Sequence, residues 1–181
     1  MAEARHLTAL SVPLPDADAL VRAAARMFEP TSPMARIQAE FTAAHVTILA
    51  PFVPPSQVDR RVREDLQHIC MRHQRHAFRL ERVAAYPGGC VYMPPEPASA
   101  LLDLMHDVWN NWPNHPPYEG QYGKVMPHVT LAIVEDHAEA TAKVAAFAEP
   151  FLPLRVEARE LQLFSIRDGQ FELMCSFPLA T

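Results

Sequence analysis

The chain has 181 residues, 49% of them apolar and 20% charged, with a net charge of -5 and a pI of about 6.0. This suits one compact domain that buries its own core; it excludes a disordered chain and a basic field able to hold long duplex nucleic acid, leaving short or terminal phosphates as ligands. Cys70, Cys90 and Cys175 form no C-x-x-C pair, the opening residues lack a signal peptide's apolar stretch, and no apolar run approaches the roughly 18 residues of a membrane span, so the sequence predicts a cytoplasmic protein without disulfides, zinc knuckle or membrane anchor.

Residues 7–12 read as a strand, broken by Pro13-Leu14-Pro15-Asp16, which also supplies a helix start. The helix should run over 18–28 with Leu20, Ala23, Ala24, Met27 and Phe28 as its buried stripe. After a Pro-containing stretch comes a strand at 44–49. A second helix should begin at Ser56, with Val58, Val62, Leu66 and Ile69 on one face. Residues 78–83 are strand-like, 86–89 form a turn and 90–93 the next strand. A helix from about Ser99 carries Leu101, Leu102, Met105, Val108, Trp109 and Trp112 toward the core, followed by a strand at 128–134 and a helix at 136–149. Strands near 154–158, 161–166 and 171–177 close the chain, the last two flanking the hairpin signal Asp168-Gly169.

A shift of 83 residues lays His45-Val46-Thr47-Ile48 on His128-Val129-Thr130-Leu131 and superposes the predicted elements as well: strand 7–12 on 90–93, the first helix on the third, 78–80 on 161–163. The expected architecture is therefore α+β: two pseudo-symmetric lobes, about 1–87 and 88–181, each a small mainly antiparallel sheet with helices on its outer face. The cleft between the lobes would hold the site, and the C-terminal strand is a candidate to complete the sheet of the first lobe.

Alternation along a strand puts His45 and Thr47 on one face, about 7 Å apart, and sends Val46 and Ile48 to the other; His128 and Thr130 follow the same rule. Histidine, with an ordinary pKa near 6.5, gives or takes a proton near neutrality. Two imidazoles on opposite sides of one phosphorus supply an acid and a base without a metal, each contributing a factor on the order of 10²–10⁴. Two threonine hydroxyls can donate to the non-bridging oxygens and stabilise charge growing there. A lone strand histidine is more often structural. Two copies in phase with a repeat favour chemistry.

The two H-x-T-x strands in a bilobal repeat resemble the two-histidine (2H) phosphoesterase superfamily and, more narrowly, its bacterial 2'-5' RNA ligase-like branch. The resemblance rests on residues 44–52 (AHVTILAPF), 91–97 (VYMPPEP) and 116–120 (PPYEG) running on to 127–131 (PHVTL). It implies a metal-independent, cofactor-free phosphodiesterase acting on 2',3'-cyclic or 2',5'-linked phosphodiesters of RNA ends or small nucleotides, with ligation as the reverse reaction. His45 and His128 would be the acid/base pair, in an order left open, and Thr47 and Thr130 the phosphate ligands. Where RNA cyclic phosphodiesterases of the superfamily commonly carry an arginine after the second motif, this chain continues Leu131-Ala132-Ile133-Val134. A supplementary cation must come from elsewhere, and a nucleotide-binding protein without efficient turnover is the alternative reading.

Other candidates carry less. Tyr118, Tyr122 and Lys124, in the loop before His128, and Phe52, after the first motif, are candidate substrate contacts, with an exposed loop and a core phenylalanine as the plain alternatives. His68, His73 and His76 fit no zinc spacing and interleave with Arg72, Arg75 and Arg79, reading as a solvated surface. The basic group at 60–63 reads as a solvated helix face. A monomer is expected, with a small nucleotide or RNA-end phosphodiester as partner.

Overall fold

In a computed structural model of the chain, residues 6–28, 43–134, 137–168 and 170–181 are described. The Pro-containing stretch before the first motif, Asp136 and Gly169 lie outside them.

Among the described residues, ten strands and four helices follow in the order β1 (His6–Pro13), α1 (Asp18–Ala25), β2 (His45–Leu49), α2 (Arg60–Cys70), β3 (His76–Leu80), β4 (Ala84–Ala85), β5 (Cys90–Met93), β6 (Pro95–Glu96), α3 (Ser99–Asn111), β7 (Val129–Ile133), α4 (His137–Ala148), β8 (Leu154–Ala158), β9 (Glu160–Arg167) and β10 (Gln170–Pro178). Seven strands form one antiparallel sheet in the order β10-β9-β1-β2-β7-β5-β4, and a small sheet has the order β6-β3-β8. The half-sheets of the two motif regions thus meet edge to edge, and the H-V-T segments occupy the middle of a single layer.

One face of that layer is the core. Val46 and Ile48 of β2, Val129 and Leu131 of β7, Val91 and Met93 of β5 and Leu10 and Val12 of β1 are all buried. α1 lies against β7, α3 against β2, α4 against β5 and α2 against β10. Leu20, Val21 and Ala24 of α1, with Leu101, Leu104, Met105 and Val108 of α3, fill the layer between helices and sheet. The opposite alternation, with His45 and Thr47 on β2 and Tyr92 on β5, leaves these polar side chains on the face that the four described helices do not cover. Among the described residues no helix is long and apolar enough to cross a membrane.

Several boundaries differ from the sequence expectations. α1 ends at Ala25, so Met27 stands 39% exposed and Val21 takes its place in the stripe. Ser56 opens only a 3-10 turn, Pro55–Gln57; the helix starts at Arg60 because the Asp59 carboxylate caps it, accepting from the Val62 amide at 2.9 Å, which leaves Val58 outside. The predicted strand at 78–83 is two strands in two sheets, since the chain leaves β8 at Leu80 and joins β5 at Ala84. Trp109 is 41% exposed, because Leu101, Leu104, Met105 and Val108 already fill the buried stripe, whereas Trp112 packs edge-on against Phe52 at 4.9 Å.

The turn between β4 and β5 closes with the Gly89 amide donating to the Tyr86 carbonyl at 3.0 Å, and Gly89 is held against the end of β7 by Val134 N–H donating to its carbonyl at 2.9 Å. Gly89 has φ 83, and a Cβ there would collide with the Val134 carbonyl oxygen; Gly88 beside it faces open space. Gly89→Ala is therefore expected to lower stability by more than about 2 kcal/mol, and Gly88→Ala by less than about 1 kcal/mol, in urea unfolding. Equal effects of the two would remove the steric account of this turn.

Candidate active site

β2 and β7 meet through the antiparallel pair Val46–Val129. That register sets His45 across from Thr130 and Thr47 across from His128, all four on the face opposite the core. Each imidazole has one threonine two residues along its own strand and another across the seam. The two histidines sit on the diagonal, with Cβ atoms roughly 8 Å apart, a gap that suits one tetrahedral phosphoryl group between the ring tips.

Both rings are oriented the same way. His45 Nδ1 lies 2.8 Å from the Ala43 carbonyl oxygen, and His128 Nδ1 lies 2.8 Å from the Met126 carbonyl oxygen. A carbonyl only accepts, so Nδ1 carries the proton in each ring, and among the described residues no hydrogen-bond partner stands at Nε2 of either. The segment before β2 is clamped at Ala44, whose amide donates to Asp18 Oδ1 at 2.6 Å and whose carbonyl accepts from Leu14 N–H at 2.7 Å.

Burial pushes both imidazoles below the ordinary 6.5. For His45 the Ala43 carbonyl and the Asp18 carboxylate work against that shift, whereas His128 is raised by the Met126 carbonyl and lowered further by the charge of His45. The two rings therefore sense one another across the seam.

The surroundings are phenolic. Tyr86 and Tyr92 stack at 4.2 Å with their planes 15° apart, and both stand edge-to-face with His128, at 5.4 and 5.5 Å. Burial keeps the Tyr86 phenol well above its ordinary value, with Tyr92 adding to the effect. Cys90 Sγ lies 3.8 Å from Thr130 Oγ1, and burial raises this thiol too. From the loop before β7, Tyr118 directs its hydroxyl at Thr47 while its amide donates to the Ala50 carbonyl at 2.7 Å. Tyr118, Glu119 and Gly120 have φ of 51, 56 and 76, three successive left-handed residues, a strain that concentrates at functional sites.

The structure brings His45, Thr47, His128 and Thr130 together and adds Tyr118 to them. Tyr122 is 61% exposed and touches Tyr118 edge-on, and Lys124 is exposed on the same loop. Phe52 is 3% exposed and packs in the core edge-on against Trp112. Around the end of α2, His73 Nε2 and Arg72 both bind Asp107, at 3.0 and 2.9 Å, while His76 turns Nδ1 to the Gln74 carbonyl. Arg60 and Arg61 pair with Glu64 and Asp65 on the exposed face of α2.

Sequence reasoning missed Asp18, Tyr86, Cys90 and Tyr92. For Cys90 and Tyr92 the signal existed: they alternate with Val91 and Met93, so once β5 neighbours β7 they must share the histidine face. Asp18 shows in the sequence only as a helix start, and Tyr86 only as a turn residue.

Because both folded imidazoles titrate below 6.5, the native state binds fewer protons than the unfolded chain just below that pH. Stability is full above 6.5 and falls as pH drops toward the folded values. Replacing both histidines by Gln should shrink the loss of Tm between pH 7 and 5; an unchanged loss would place the acid sensitivity elsewhere.

The sequence profile of the 2'-5' RNA ligase superfamily matches residues 13–170. No curated protein matches the chain. Among solved structures, Escherichia coli LigT complexed with 3'-AMP superposes with a TM-score of 0.62 at 13% identity, over 99% of this chain and 100% of LigT. TT0787 of Thermus thermophilus gives 0.63 at 14% identity, over 96% and 97% of the two chains. LigT complexed with NADP+ gives 0.57 at 15% identity, over 99% and 100%. At these identities the likeness establishes the fold, and the family match covers most of the chain; the protein belongs to the 2'-5' RNA ligase superfamily of two-histidine phosphoesterases.

Proposed function

We propose that the protein is a metal-independent phosphodiesterase that opens 2',3'-cyclic or 2',5'-linked phosphodiesters of RNA ends or small nucleotides. The observation that carries this is the diagonal pair of imidazoles, each with Nδ1 tied to a carbonyl and Nε2 without a partner among the described residues, alternating with two threonine hydroxyls around one seam. One Nε2 removes a proton from water as its oxygen bonds to phosphorus, and the other protonates the departing ribose oxygen. Thr47 and Thr130 donate to the non-bridging oxygens and stabilise the charge that accumulates on them. Tyr118, aimed at Thr47, closes the phosphate site from the loop side.

LigT complexes with 3'-AMP, ATP and NADP+ support a small nucleotide as ligand. The chain acts as one bilobal unit in this reading, with halves near 1–87 and 88–181 and β9 and β10 extending the sheet of the first half. It works as a cytoplasmic monomer. Ligation is the same chemistry in reverse, with a 2',3'-cyclic end and a 5'-hydroxyl. One observation favours a binding role without efficient turnover: Ile133 ends β7, and the nearby loop cation, Lys124, is exposed.

Turnover of 2',3'-cyclic nucleotides and 2',5'-linked oligonucleotides in the presence of a chelator tests the reading. His45→Ala and His128→Ala should each lose at least about a hundredfold, and Thr47→Val and Thr130→Val about 10²-fold each in kcat. Full activity in either histidine variant would contradict it, and tight binding of an uncleaved nucleotide would favour the binding role. Since burial lowers both imidazoles, kcat/KM should follow a bell whose maximum lies on the acid side of pH 6.5.

A further inference from the structure

The loop before β7 turns through three successive left-handed residues, Tyr118, Glu119 and Gly120, with φ of 51, 56 and 76. Glycine adopts that conformation at no steric cost, whereas a tyrosine keeps it only where its surroundings fix it. Here the Tyr118 amide donates to the Ala50 carbonyl at 2.7 Å. The turn also closes on itself, Glu119 N–H donating to the Pro116 carbonyl at 3.0 Å and Gln121 N–H to the Tyr118 carbonyl at 3.1 Å. Ala50 follows directly on the last residue of β2. The loop is thus hooked to the strand that carries Thr47, and the Tyr118 ring, with Tyr122 edge-on against it at 5.5 Å, reaches back along that strand to set its hydroxyl against the threonine.

A threonine hydroxyl has one proton to give and two lone pairs to receive. Thr47 therefore donates to a phosphoryl oxygen only when its proton is not already given to a neighbour. Burial holds the Tyr118 phenol above its ordinary value, so the phenol keeps its proton at neutral pH and can fill a lone pair of Thr47 Oγ1. With a phosphoryl group between the imidazoles the hydrogen bonds then run one way, from phenol to threonine to phosphoryl oxygen, and each polarises the next. Thr130 is backed differently. β5 sets Tyr92 opposite it, and its hydroxyl meets Cys90 Sγ at 3.8 Å, a thiol that donates only weakly.

We infer that Tyr118 is a positioning residue of the proposed hydrolysis: its phenol donates to Thr47 Oγ1 and so turns the one Thr47 proton toward a non-bridging oxygen of the phosphoryl group. The inference rests on that reading of the site. Tyr118 touches no reacting atom and acts through Thr47. Negative charge on the non-bridging oxygens grows as water attacks, so the chain of hydrogen bonds is stronger in the transition state than in the bound substrate. Its loss therefore falls on kcat and leaves KM nearly unchanged.

Turnover of a 2',3'-cyclic nucleotide by Tyr118→Phe tests the role, because this change keeps the ring and the amide that hooks the loop and removes only the hydroxyl. It should lower kcat about tenfold and change KM by less than about threefold. In a Thr47→Val background, where the valine can receive no proton from the phenol, the same change should lower kcat by less than about twofold; in a Thr130→Val background it should again lower kcat about tenfold. Equal losses in the two backgrounds, a loss confined to KM, or full activity of Tyr118→Phe overturns the role of Tyr118 and leaves the proposed function standing. Full activity of His45→Ala or His128→Ala on the same substrate overturns the proposed function itself, and this role with it.

Discussion

Val46 opposite Val129 is the pairing on which the site depends. It is apolar, buried and remote from any chemistry, yet it fixes the register of the two motif strands. Because strand side chains alternate, inserting these two valines into the core forces the residues on either side of each toward the uncovered face. A slip of one residue would bury the histidines and expose the valines. The same hydrophobic burial that stabilises the sheet therefore holds the reactive groups in place. The helices reinforce it: α1, from the first half, lies on β7, and α3, from the second, lies on β2, so each motif strand is pressed down by the other half's helix.

Orientation within that frame comes from the backbone. In both halves the carbonyl two residues before the histidine receives Nδ1–H, which leaves Nε2 pointing away from the strand. Burial then makes both rings weak bases, a state suited to passing protons rather than storing charge. The repeat supplies the geometry twice over in different surroundings: Asp18 holds the amide of Ala44, the residue before His45, while Tyr86 and Tyr92 stand at His128 and Cys90 at Thr130.

The motif strands were legible in the sequence because a period of two leaves little freedom: His45-Val46-Thr47-Ile48 can bury Val46 and Ile48 only by presenting His45 and Thr47. The order of elements was legible for a similar reason, since apolar periodicity and the prolines mark most boundaries. What failed depended on partners distant in sequence. Ser56 is a good cap by type, but the prolines at 54 and 55 hold it in a 3-10 turn and Asp59 offers the capping carboxylate. Nothing local in residues 78–83 says that the chain changes sheets at Leu80. Phe52 and Trp112 find each other across 60 positions, and Tyr86 meets His128 only after the β4–β5 turn closes.

The central claim is that one phosphoryl group sits between both imidazoles and both threonine hydroxyls. A crystal structure of the protein with inorganic phosphate tests it most directly. The account predicts a single tetrahedral anion with Nε2 of His45 and of His128 on opposite sides and Oγ1 of Thr47 and of Thr130 within hydrogen-bond distance, at about 2.6–3.2 Å. Phosphate bound to one histidine alone, with the second imidazole out of reach, would contradict it.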